Sequence, residues 1–160
     1  MSRQSVSAFP QDSGRVVVLT SVAGGSTYAL APETHANRLL VLSTVTSAYT
    51  LNLPRAYGTG DTYEFLSPAA RTSGSVIINA VATGGTSNFF AGTIWQHSAS
   101  TDTLVQFTSA SDHIITLNIT TTGGATAGDY LKIVDSAPAT WHVVYGMFTT
   151  SGNPATPFST

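Results

Sequence analysis

Apolar and polar positions alternate with a period of two along most of this chain. Over 48–53, Tyr49, Leu51 and Leu53 share one side and Thr50 and Asn52 the other; over 112–120, Ile115, Leu117 and Ile119 oppose Thr116, Asn118 and Thr120. That spacing belongs to half-buried β-strands, whose successive side chains point to opposite faces. Ten short strands are predicted, over 15–22, 38–43, 48–53, 61–67, 74–81, 89–96, 102–108, 112–120, 129–135 and 140–148. Gly24–Gly25, Gly84–Gly85 and Gly123–Gly124 supply the positive-φ positions that turns between strands demand. No stretch sustains a 3.6-residue period, and the one helix-like candidate, 29–38, is interrupted by Pro32. The expected fold is therefore all-β: a single compact β-sandwich or jelly-roll-like domain over 15–148. Polar segments at 1–14 and 149–160 lack a strand pattern and read as N- and C-terminal arms, in which Phe9 and Phe158 are candidate docking anchors.

Composition narrows the function more than the fold. Of the 160 residues, 9% are charged, against roughly a quarter in an average soluble chain, and the net charge is −2. Ser and Thr fill the solvent positions instead. The basic residues Arg3, Arg15, Arg38, Arg55, Arg71 and Lys132 are scattered, so no clustered footprint for nucleic acid exists. No apolar run approaches the roughly 18 residues of a membrane span, and the first 15 residues contain no apolar signal region. The absence of cysteine removes disulfides, thiolate nucleophiles and thiolate metal ligands together. A domain without such staples draws added stability from association with other chains.

Candidate chemistry is sparse. His35, His97, His113 and His142 match no metal or catalytic spacing, and no nucleophile elbow, phosphate loop or calcium loop occurs. Asp61 and Glu64 are three apart on a predicted strand, hence on opposite faces, and do not form the converging carboxylate pair of a glycosidase. Asp102, Asp112, Asp129 and Asp135 stand at predicted strand ends, where Asp bonds to local backbone. No catalytic residue, metal, cofactor or small-molecule substrate is expected. The aromatics say more: Phe89, Ala91, Thr93 and Trp95 fall in one strand phase and Phe90 and Ile94 in the other, so this strand is apolar on both faces. Phe89, Phe90 and Trp95 are accordingly the candidate subunit-interface residues.

Two blocks carry a family resemblance. Thr50-Leu51-Asn52-Leu53-Pro54-Arg55-Ala56-Tyr57-Gly58-Thr59-Gly60-Asp61-Thr62-Tyr63-Glu64-Phe65 resembles the TLP, GxG, xYxF stretch of head decoration proteins of tailed bacteriophages. Gly123-Gly124-Ala125-Thr126-Ala127-Gly128-Asp129-Tyr130-Leu131-Lys132-Ile133-Val134-Asp135, followed by Trp141 to Gly146 and a tail through Phe158, is similar to their ending. With Ser75 to Ala80 between, the blocks run in family order over roughly 48–158, whereas the N-terminal third departs from it. The resemblance implies a cement protein, made in the bacterial host cytoplasm, that sits as a homotrimer on the outer surface of the virion head. It would bind the major capsid protein and stabilise the shell. On this reading the N-terminal arm, with Phe9 and Arg15, is the expected capsid contact. The competing expectation, motivated by Trp95, Trp141 and the Asn and Thr content, is a carbohydrate- or receptor-binding β-sandwich module of a tail fibre.

Overall fold

The structure is a computed structural model and describes residues 15–80 and 88–160. Phe9, Val81 and the Gly84–Gly85 turn lie outside the described residues. Twelve strands and one helical turn follow in order: β1 Val16–Leu19, β2 Ser26–Ala29, α1 Pro32–His35, β3 Arg38–Leu42, β4 Tyr49–Asn52, β5 Thr62–Leu66, β6 Val76–Asn79, β7 Phe89–Ser98, β8 Thr103–Asp112, β9 Ile114–Leu117, β10 Tyr130–Ala137, β11 Thr140–Thr150 and β12 Phe158–Ser159. They form a seven-stranded sheet, β1-β3-β5-β10-β11-β7-β8, and a five-stranded sheet, β12-β9-β6-β4-β2. The all-β sandwich expected from the alternation is what the chain builds.

The inward phase of both sheets forms one apolar core. Leu40, Tyr63, Phe65, Leu131, Ile133, Trp141, Phe90 and Ile94 come from the seven-stranded sheet and Tyr49, Leu51, Val76, Ile78, Ile115 and Leu117 from the other, all buried. Tyr63 meets Trp141 edge to face at 5.5 Å and 82°, the offset geometry that aromatic quadrupoles favour.

The first half of the sandwich is wound and not hairpinned. From β1 to β6 the chain alternates between sheets, so β1, β3 and β5 are parallel neighbours in one and β2, β4 and β6 in the other. The turns at one end are tied by two buried side chains. The Tyr49 hydroxyl accepts from the amides of Ser21 and Thr44 and donates to the carbonyl of Leu19. The Arg71 guanidinium, 5.4 Å over the Tyr49 ring, donates to the carbonyls of Thr44 and Ser47. Burial lowers the Arg71 pKa, because these carbonyl dipoles replace water without supplying a counter-charge.

Three details differ from the sequence-based expectation. Pro32 opens a helical turn instead of merely interrupting one, since its fixed φ and missing N–H suit a first helical position. The strand β2 has no counterpart among the ten predicted strands. The segment 149–160 is not a free arm: β11 runs to Thr150, β12 pairs with β9, and Phe158 is 5% exposed at the rim of the core. Phe158 is thus spent on the chain's own sandwich and does not present an anchor to another surface.

Candidate functional site

Two of the carboxylates are tied into turns. Asp135 is buried and accepts from the amides of Tyr57, Gly58 and Thr59 and from the Thr59 hydroxyl, fixing the Tyr57-Gly58-Thr59-Gly60 turn. Burial alone would raise its pKa, but those donors together outweigh it and hold it below the ordinary value. Asp129 accepts from the amides of Gly124 and Thr149 and from the Thr126 hydroxyl. Here burial wins and the pKa is raised. Both are the backbone-bonding turn aspartates that the sequence indicated; Asp129 bonds within its own turn and to Thr149 of β11, whereas all of Asp135's partners lie 76–78 residues away. Asp61 stands near Asp135 and not Glu64: the Thr59 hydroxyl lies 3.0 Å from its carboxylate as well as 2.9 Å from that of Asp135. Glu64 stands apart and takes a 2.8 Å ion pair from Lys132, whose hydrogen bond lowers the Glu64 pKa.

The histidines are dispersed likewise. His35 Nδ1 bonds around Ala31 and Thr34 on α1, His113 Nδ1 meets the Asn88 carbonyl at 2.6 Å, and His97 pairs with an almost fully exposed Asp102 at 2.9 Å, where water screens the attraction. Among the described residues no three His, Cys, Asp or Glu side chains are grouped so as to hold a metal ion.

What the structure concentrates is apolar surface, on the outward face of the seven-stranded sheet. The register sets Val18 beside Val41, Val41 beside Leu66, Leu66 beside Tyr130, Tyr130 beside Met147 and Met147 beside Trp95. One row of side chains therefore crosses six adjacent strands without a charge. The next row, Val16, Leu39, Glu64, Lys132 and Tyr145, carries the single ion pair, whose two charges satisfy each other. Tyr130 and Tyr145 lean together at 5.8 Å between the rows. Trp95 is 38% and Tyr145 49% exposed. Five strand spacings of about 4.8 Å make the row about 24 Å wide, and the ten- and eleven-residue strands β7, β8 and β11 are about 33 Å long.

A bulge enlarges this face. On β11, Tyr145 pairs with Lys132 and Val143 with Ile133, so Val144 has no partner on β10. The extra residue puts Val144 and Tyr145 outward together, while Trp141, Val143 and Phe148 stay buried. Counting by twos from Trp141 would turn Tyr145 and Met147 inward; the inserted residue sets them outward instead. Gly92 lies opposite, at φ +123, and a Cβ there would come within 2.7 Å of the Val143 carbonyl oxygen.

The three proposed interface residues divide. Phe90 is wholly buried in the chain's own core and so cannot meet a neighbour; Trp95 faces outward and Phe89 is half-buried. The strand is apolar on both sides, as the two phases indicated, but its second side is only partly covered. Arg15, the described member of the proposed capsid contact, lines a shallow depression of about 370 Å³ with Val16, Asn37, Arg38, Leu39 and Glu64, beside the same face. No protein-family model, curated protein or solved structure matches the chain.

Proposed function

We propose that this chain is a structural virion protein that binds the outer surface of an assembled phage head as a homotrimer and stabilises it. The observation that carries the reading is the outward face of the seven-stranded sheet, an uncharged row of Val18, Val41, Leu66, Tyr130, Met147 and Trp95. An uncharged apolar row that stays partly exposed fits a surface that another protein covers. From the resemblance of the two sequence blocks we take that protein to be the major capsid protein, with neighbouring copies of this chain beside it. Cementing would work by linkage: contacts that exist only on the assembled shell lower its free energy and oppose disassembly, and many copies act together. The engagement of Asp129 and Asp135 by backbone amides fits a structural role for both. Mixing purified protein with undecorated heads tests the proposal: stoichiometric binding and a raised disruption temperature are expected, and no binding to cognate heads overturns it.

A second reading rests on Trp95 alone. Its indole stands on the outward sheet face beside Met147 and Gln106, a setting that suits sugar stacking, as in a receptor-binding module of a tail fibre. A glycan array with Trp95→Ala as control separates the two, because only a sugar platform gives hits that the substitution abolishes.

A further inference from the structure

We propose that the Glu64–Lys132 ion pair marks the dry centre of the docked face, and that the capsid protein covering it presents an uncharged surface at that point. The inference rests on the reading of this face as the head-binding surface, and adds to it where the partner sits and what chemistry it brings.

The strands that carry the pair, β5 and β10, are the third and fourth of the seven in the sheet. Glu64 lies opposite Lys132 on one side and Leu39 on the other, and Lys132 lies opposite Tyr145. Two residues along the same strands, Leu66 and Tyr130 face each other in the uncharged row. Leu39, Tyr145 and the Leu66–Tyr130 couple thus bound the pair on three sides. A partner that lies on those side chains covers the pair as well. In the free chain water still reaches it, since 34% of the Lys132 side chain and 29% of that of Glu64 are exposed. Covering the face is therefore the step that removes this water.

The pair is complete without help from a partner. Lys132 Nζ lies 2.8 Å from Glu64 Oε1, with the Tyr130 hydroxyl as a further donor to the carboxylate. A charge brought by the partner would be drawn to one member and repelled by the other, and would give up its hydration for little return. An uncharged surface meets no such cost. The same physics makes each charge depend on the other once the face is covered: a pair loses its water tolerably, whereas a single charge left in a dry contact is heavily penalised.

Binding of full-length chains to undecorated heads tests this. Glu64→Met and Lys132→Met each leave one charge to be buried, and each is expected to weaken binding about thirtyfold or more. The two substitutions together remove both charges and are expected to return the affinity to within about threefold of the wild type. Glu64→Gln combined with Lys132→Gln, a neutral polar couple, is expected to do the same and guards against aggregation of the more apolar variant. Urea midpoints of the free chains should stay close together, because water reaches either lone charge until the face is covered. Single variants that bind like the wild type would place the pair in water at the rim, and overturn the inference while leaving head binding intact. Double variants as weak as the single ones would show a charge supplied by the partner, and overturn it equally. A wild type that does not bind heads removes the head-binding reading itself, and this inference with it.

Discussion

The Asp135 carboxylate accepts a 2.6 Å hydrogen bond from the amide of Gly58, 77 residues away along the chain. Together with the amides of Tyr57 and Thr59, this bond fixes a turn that has little apolar packing of its own, as the 63% exposure of Tyr57 shows. Asp135→Asn puts a donor where an acceptor is needed and leaves at least one amide unpaired. A loss of about 2 kcal/mol at neutral pH is expected, read from the urea midpoint.

The same carboxylate makes stability sensitive to acid. Its folded pKa is lowered, so its contribution is complete above the unfolded value near 3.9 and is lost as pH falls through the lower folded value. Asp129 is raised, so ionising it costs stability above its folded value, and acid relieves that cost. Urea midpoints between about pH 2 and 5 should therefore fall less steeply for Asp135→Asn than for the wild type, and more steeply for Asp129→Asn. Parallel curves for all three would contradict the assignment.

Gly92→Ala should be costly despite its size. A methyl group there strains a backbone at φ +123 and collides with the Val143 carbonyl where β11 bulges. About 2–3 kcal/mol of destabilisation is expected by thermal melting.

Phe158→Ala should behave as a core substitution, although it lies two residues from Thr160. Its ring is buried and its strand closes the edge beside Ile115. A loss of about 2–3 kcal/mol is expected, below the full range for a central Phe because a short edge strand can relax. An unchanged melting temperature would return 149–160 to the status of a free arm.

Trp95→Ser and Tyr145→Ser should separate folding from association. Both side chains are partly exposed on the outward face, so each is expected to cost under about 1 kcal/mol of stability while weakening head binding about tenfold or more. Equal losses in both measurements would remove this face from the function.

The alternation of Tyr49, Leu51 and Leu53, or of Ile115 and Leu117, was legible because one face of each strand is buried and the other wet. β2 was not, because Tyr28 is its only large side chain and packs at the margin of the core. The parallel winding left a subtler trace: Val16 to Leu39 and Ser26 to Tyr49 are equal steps along the chain, a repeat in spacing that no motif marks. Asp129 and Asp135 were recognisable as turn formers by residue type, yet Thr149 and Gly58 could be identified as their partners only once β10 had been placed in the sheet. The outward face escaped for the same reason. Val18, Leu66 and Met147 are unremarkable one by one and become a surface only through strand register.

The position of the β10–β11 hairpin has a consequence for the order in which the molecule is made. The wound strands β1, β3 and β5 can pair as they leave the ribosome, each finding the strand laid down one turn earlier, and β7–β8 can close as a hairpin. The seven-stranded sheet remains two separate pieces, however, until β10 and β11 slot between β5 and β7. That hairpin is the keystone of the sheet, so a nascent chain that stalls before Thr140 leaves two open edges at the centre of the future sheet, where aggregation competes with folding.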